Sequence, residues 1–101
     1  MDDGTFDSHV RMAADPERKF SFYLSEASAS PGKVTVEFVN PESTPHNLAI
    51  EAPNGETIGQ TKPVSEGRAI TKVVLHPGTY VVYSSVPGQR KAGMVGHLTV
   101  K

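Results

Sequence analysis

The stretch Ser84-Ser85-Val86-Pro87-Gly88-Gln89-Arg90-Lys91-Ala92-Gly93-Met94 decides how this chain is interpreted. It lies between two short runs rich in Val, Thr and Tyr, residues 79–83 before it and 95–101 after it. β-Branched and aromatic residues are typical of strands, and a Pro-Gly pair is typical of a turn. The sequence therefore predicts a final hairpin whose two strands are joined by a long loop.

Strand signals continue through the rest of the chain. The clearest one is the alternation Val34-Thr35-Val36-Glu37-Phe38-Val39, which places apolar side chains on one face of a half-buried strand. The pairs Pro31-Gly32, Asn54-Gly55 and Pro77-Gly78 predict turns between the runs. The predicted strands are 8–13, 20–24, 34–39, 47–51, 69–75, 79–84 and 95–100.

These signals predict an all-β protein. We expect a Greek-key β-sandwich or barrel of about seven to eight strands, in a single domain over residues 1–101. The segment 52–67 shows no sustained period, so we expect a long crossover there with at most a short helical turn. Tyr80, Val82 and Phe38 are expected in the core.

Composition limits the function classes. The net charge of -1 gives no overall field for nucleic acid or an anionic membrane, so we expect neither as a partner, and we expect a monomer. The absence of cysteine excludes disulfides, thiolate metal sites and a cysteine nucleophile. The N-terminal Met1-Asp2-Asp3-Gly4 lacks the basic flank and apolar stretch of a secretory signal, so the location stays open.

From about residue 30 onwards, the order of motifs resembles the cupredoxins, the blue-copper family of plastocyanin, azurin and auracyanin. The resemblance rests on Asn40-Pro41, Pro45-His46-Asn47, the run 75–80 and the loop 84–94. It implies a cupredoxin-like sandwich, an ancestral role in electron transfer, and a periplasmic or extracellular location. It also implies a type 1 copper site, in which two histidines, a cysteine and a methionine bind the metal.

Two positions depart from that ligand set. His46 and Met94 match it, whereas Ser84 and Gln89 stand where the family has cysteine and histidine. A serine hydroxyl keeps its proton near neutral pH, and a carboxamide oxygen is a poor ligand for soft Cu(I). We therefore expect no cofactor, no tightly bound copper and no electron transfer.

The remaining site residues predict a hydrogen-bonded cluster. We expect His46 to contact Ser84, Gln89 or a trapped water, near Met94, because an unpaired buried polar group costs about 1 to 3 kcal/mol. The resemblance further implies that Asn47 ties the histidine loop to the residue after the cysteine position, here Ser85.

The rest of the loop is intact, which favours deliberate removal of the metal site to obtain a metal-free scaffold. An engineered protein is one possible partner of such a scaffold. A natural binding module that lost its copper, or a copper protein that transfers electrons, are the alternatives.

Two further interpretations of the sequence remain as alternatives. A serine near a histidine is one element of a hydrolase, but the motif shows no acid to orient the histidine, so we expect no enzyme. His9, His76 and His97 come from three different strand regions and could meet at a new metal site. Histidines on separate strands more often lie on solvated faces, as alternation predicts for His97.

Overall fold

The computed structural model of the protein describes residues 8–15, 17, 20–23 and 26–101. Over that part of the chain there are eight strands and no helix, which confirms the predicted all-β class. No membrane-spanning helix occurs among those residues. The strands are β1 (Ser8–Ala13), β2 (Glu26–Ala29), β3 (Gly32–Asn40), β4 (Ala49–Glu51), β5 (Thr57–Gln60), β6 (Gly67–Leu75), β7 (Gly78–Tyr83) and β8 (Val95–Val100).

The strands form two sheets. One has three strands in the order β1-β3-β6, and the other has five in the order β2-β8-β7-β4-β5. The pairs β1/β3 and β2/β8 are parallel, and the remaining pairs are antiparallel. The predicted final hairpin is β7 and β8, which run antiparallel from Gly78 opposite Val100 to Tyr83 opposite Val95.

The inner faces of the sheets enclose one hydrophobic core. Alternation along β3 places Val34, Val36 and Phe38 inside, and each is fully buried, as predicted. Tyr80 and Val82 of β7 are also in the core, as expected from the sequence. Aromatic packing contributes through Phe22, whose ring meets Phe38 edge to face with centroids 6.0 Å apart. This core reaches the loops at one end of the molecule through Leu48 and Met94.

The predicted strand at 20–24 is wrong over its described residues. Phe20 has a φ of 54°, a left-handed conformation that does not fit a strand. Phe22 forms only an isolated bridge with Ala14. Leu24 lies outside the described residues. The apolar run therefore contributes side chains to the core without joining a sheet.

The segment 52–67 contains β5, so the prediction of a crossover with at most a short helical turn is wrong at 57–60. This edge strand is four residues long and mostly exposed, and it lacks the apolar alternation that marks a half-buried strand. Its Gly59 lies against β6, where an added Cβ would come within 2.6 Å of Val73 Cγ1. A glycine thus allows the edge strand to approach the other sheet closely.

Candidate functional site

Three chain segments meet at one end of the five-stranded sheet. His46 and Asn47 lie just before β4, separated from it by Leu48, while Ser84 immediately follows β7 and Met94 immediately precedes β8. Because β4 and β8 both run antiparallel to β7, the start of β4, the end of β7 and the start of β8 lie at the same end of the sheet. His46, Ser84 and Met94 are completely buried there.

The loop between β7 and β8 folds back on itself and turns Gln89 inward. The Gln89 N–H donates to Val86 O, and the Gln89 carbonyl accepts from Met94 N–H at 3.1 Å. Gly88 and Gly93 adopt φ values of 84° and 117°, which glycine accepts without steric cost. Only 6% of the Gln89 surface remains exposed, so this polar side chain lies inside the protein.

Gln89 has a defined amide orientation because its two ends face different groups. Its Nε2 donates to the carbonyl of Pro45 at 2.9 Å. Its Oε1 accepts from the hydroxyl of Ser84 at 2.7 Å and from Nδ1 of His46 at 2.9 Å. Exchanging the amide nitrogen and oxygen would place two acceptors against each other at Pro45. Gln89 is therefore the central residue of a buried cluster.

His46 uses both ring nitrogens within the protein. Gln89 Oε1 only accepts, so Nδ1 carries a proton. Nε2 lies 2.6 Å from Oε1 of Glu42, a contact that is an ion pair when the ring is protonated. The edge of Phe20 approaches the imidazole with ring centroids 6.2 Å apart. The histidine is thus held on two sides by oxygen atoms and on a third by an aromatic ring.

Asn47 joins the histidine segment to the β7–β8 loop and to the segment after β5. Its Oδ1 accepts from the Ser85 N–H at 2.7 Å, and its Nδ2 donates to Ser85 Oγ at 2.8 Å and to Thr61 O at 3.1 Å. Its backbone N–H points at Ser84 Oγ, 3.5 Å away. In the described part of the chain, every buried side-chain nitrogen and oxygen has a hydrogen-bond partner.

Glu42 is a site residue that the sequence analysis missed. It follows β3 in a turn closed by Asn40, whose Oδ1 accepts from the Glu42 N–H at 2.9 Å. Asn40 Nδ2 also donates to Thr44 O at 2.8 Å and to Val64 O at 2.7 Å. Glu42 lies four residues before His46, and this turn places its carboxylate beside the His46 imidazole ring. The available signal was Asn40-Pro41, because asparagine before proline favours a turn of this kind.

The arrangement does not resemble a serine hydrolase. An acid does contact His46, but Ser84 donates to Gln89 and makes no hydrogen bond with the imidazole. A nucleophilic serine needs a base at its hydroxyl and access for the substrate. Ser84 is fully buried, so neither condition is met.

The residues present do not fit type 1 copper. The position of the thiolate holds a hydroxyl, the position of the second imidazole holds a carboxamide, and both nitrogens of His46 already contact oxygen atoms. Among the described residues, no group of three or more His, Cys, Asp or Glu side chains could hold a metal ion. His9, His76 and His97 are exposed and form no such group, which argues against the alternative of a new metal site.

Solved structures of blue-copper proteins share this fold. Auracyanin B superposes with a TM-score of 0.79 at 23% identity, covering 96% of this chain and 91% of that chain. A dithionite-reduced auracyanin from Roseiflexus castenholzii gives 0.81 at 22% identity, covering 96% and 99%. An oxidised plastocyanin from Dryopteris crassirhizoma gives 0.70 at 27% identity, covering 91% and 100%.

Sequence comparison identifies the family more directly. No curated protein matches the chain in sequence. The profile of the sulfocyanin (SoxE) domain matches residues 21–100, which is most of the chain. This match, the eight-stranded fold and the similarity to auracyanins and plastocyanin agree with one another. The chain therefore belongs to the sulfocyanin (SoxE) domain family, with the cupredoxin fold.

Proposed function

We propose that this protein is a metal-free cupredoxin-fold module, a structural or binding scaffold that neither transfers electrons nor catalyses a reaction. The observation that carries the proposal is the pair of contacts made by His46, to Gln89 at 2.9 Å and to Glu42 at 2.6 Å. A copper ligand needs a free ring nitrogen, and here both nitrogens are engaged. The chemistry of Ser84 and Gln89 supports the same conclusion, because neither supplies a soft anionic or imidazole donor.

The cluster takes over a structural task that a metal would perform. A bound metal links the segments that carry its ligands and stabilises the native state by mass action. In this protein the same three segments are linked by Gln89, whose side chain contacts His46 and Ser84 and whose carbonyl accepts from the Met94 N–H. A net contribution of about 0.5 to 1.5 kcal/mol for each such hydrogen bond gives a stable site without a metal.

The close fit of the two replacements to their neighbours supports an origin by design, in which Ser84 and Gln89 were introduced to obtain a metal-free scaffold. A natural domain that exchanged its ligands for the same cluster is the alternative. Both origins predict the same pocket chemistry. The experiment below therefore tests the chemistry directly.

The test is a copper titration of the parent protein beside the double variant Ser84→Cys/Gln89→His. Calorimetry and voltammetry of the parent are expected to show no stoichiometric site with reversible redox cycling, and its spectrum should lack an intense visible band. The double variant regains a thiolate and an imidazole, so we expect it to bind Cu(II) with an intense visible band.

Two controls make the titration specific. His46→Gln in the double-variant background should abolish the band, whereas His97→Gln should leave it unchanged, because His97 is exposed on β8. A parent protein that binds one copper ion at His46 and cycles it reversibly would overturn the proposal. A double variant that folds but binds no copper would show that the four positions do not form the site that the resemblance implies.

A further inference from the structure

The outer face of the three-stranded sheet concentrates positive charge. We call it the cationic face and define it by the residues that point away from the core with charged or exposed aliphatic side chains: Arg11, Lys33, Glu37, Arg68, Ile70, Lys72 and Val74. At the described outer positions of these three strands there are four cations and one carboxylate, although the chain as a whole has a net charge of -1. The overall charge therefore conceals a strong local excess.

Strand register fixes how these side chains are arranged. In an antiparallel pair, residues directly opposite each other lie on the same face. Glu37 of β3 stands between Arg11 of β1 and Ile70 of β6, and Lys33 stands opposite Val74. Along β6 itself, the exposed positions are Arg68, Ile70, Lys72 and Val74, so cations and aliphatic side chains alternate on the same face.

Glu37 anchors the two arginines without neutralising them. Its carboxylate lies 3.5 Å from Arg11 Nε and 3.1 Å from Arg68 Nη1. The arginine side chains keep 67% and 70% of their surface exposed. Each guanidinium has N–H donors besides the nitrogen that faces Glu37, and most of each side chain is exposed, so the pair can still bind anionic groups.

The aliphatic residues of the cationic face are unusually exposed to solvent. Ile70 is 53% exposed and Val74 is 56% exposed, and both are among the few large apolar side chains at the described surface. The five-stranded sheet differs, because none of its strands contains a lysine or an arginine. Positive charge and exposed aliphatic groups thus coincide on one side of the molecule.

We propose that the cationic face binds peripherally to the surface of an anionic phospholipid bilayer. Lysine and arginine near such a surface each contribute through attraction to headgroup phosphates, and aliphatic groups beside them enter the boundary with the acyl chains. Net charge alone argued against a membrane partner, but it does not report where the charges lie. The binding depends on their placement.

Other polyanions fit the face less well. Proteins that bind single-stranded nucleic acid stack bases on aromatic side chains, and no Phe, Tyr or Trp projects from the outer positions of β1, β3 and β6. The depression beside Arg11 and Arg68 lies at one end of the face and is also lined by the acidic residue Glu66. An exposed sheet face that combines cations with aliphatic groups suits a bilayer surface, which offers both phosphates and acyl chains.

The test is co-sedimentation of the whole protein with vesicles of phosphatidylcholine alone and with about 30% phosphatidylglycerol, at low ionic strength. We expect binding only to the anionic vesicles. Lys33→Gln/Lys72→Gln should weaken it roughly 25-fold, because each cation near the surface contributes about fivefold. The matched control Lys62→Gln/Lys91→Gln removes the same charge from exposed positions in other parts of the chain, and should change the affinity less than about threefold.

A second variant separates a membrane from a soluble polyanion. Ile70→Ser/Val74→Ser keeps every charge, so it should reduce vesicle binding while leaving any binding to heparin unchanged. Circular dichroism checks that each variant is folded. Three results would overturn the proposal. They are no binding to anionic vesicles, an equal loss of vesicle affinity in the Lys62/Lys91 control, and vesicle binding that Ile70→Ser/Val74→Ser leaves unchanged. The measurement involves no copper, so its result is independent of the proposed function.

Discussion

The two sheets share one core but use polar side chains in opposite ways. At the end of the five-stranded sheet, His46, Ser84 and Gln89 are buried and their partners all belong to the protein. On the three-stranded sheet, Arg11 and Arg68 are largely exposed around a single carboxylate. A buried polar group without its partner is costly, whereas an exposed ion pair contributes little to stability. The first region should therefore control stability and the second should control partners.

The largest expected effect comes from Gln89→Ala. This change removes the partner of His46 Nδ1, Ser84 Oγ and the Pro45 carbonyl in one step, and leaves a cavity at a buried position. We expect the free energy of unfolding to fall by about 2 to 5 kcal/mol, measured by denaturant titration.

The matched control for that variant is Gln60→Ala. Gln60 is exposed, and its side-chain Oε1 accepts one hydrogen bond, from Ser85 Oγ at 3.0 Å. Its removal should cost less than about 1 kcal/mol, because water replaces the lost partner. Equal losses at Gln60 and Gln89 would break the distinction between buried and exposed polar groups on which the comparison depends.

A smaller effect is expected from Glu42→Ala, which removes the partner of His46 Nε2. The imidazole would keep Gln89 but leave a buried nitrogen unpaired, so we expect a loss of about 1 to 3 kcal/mol in thermal or denaturant unfolding. Glu42→Gln retains an oxygen acceptor and should recover most of that loss. Glu56→Ala, at an exposed carboxylate, should have little effect, and a loss as large as that of Glu42→Ala would exclude a special role for the buried contact.

The fold was largely predictable because its signals are local. Alternation at 34–39 and the Pro-Gly turns mark strands that bury one face, and the structure has strands there. The errors at residues 20–24 and 57–60 occur where tertiary contacts decide the local structure. Phe20 takes a left-handed conformation beside His46, and β5 is a short edge strand whose Gly59 allows a close approach to β6. Neither contact leaves a periodic pattern in the sequence.

For the site, the sequence predicted only the residues that belong to the recognised motifs. The resemblance carried by Pro45-His46-Asn47 and the loop 84–94 implied which residues would meet, and the structure shows His46 hydrogen-bonded to Gln89. Glu42 was missed, because its approach to His46 depends on a turn closed by the Asn40 side chain. The cationic face was missed for a similar reason. It is assembled from three strands that are distant in sequence, and net charge averages over them.

The smallest effect on stability, and the sharpest contrast with the buried cluster, is expected from Glu37→Gln. Glu37 holds two arginines that are mostly solvent-exposed, so breaking these ion pairs should change the free energy of unfolding by less than about 1 kcal/mol. Removing the one carboxylate of the cationic face should nevertheless strengthen binding to anionic vesicles about fivefold, the effect of one charge near the surface. Glu56→Gln removes the same charge elsewhere and should leave the vesicle affinity within about twofold of the parent. If both variants strengthen vesicle binding equally, overall charge governs the interaction and the cationic face has no separate role. If Glu37→Gln unfolds the protein, the cationic face is needed for stability. The contrast between a sheet that controls stability and a sheet that controls partners would then fail.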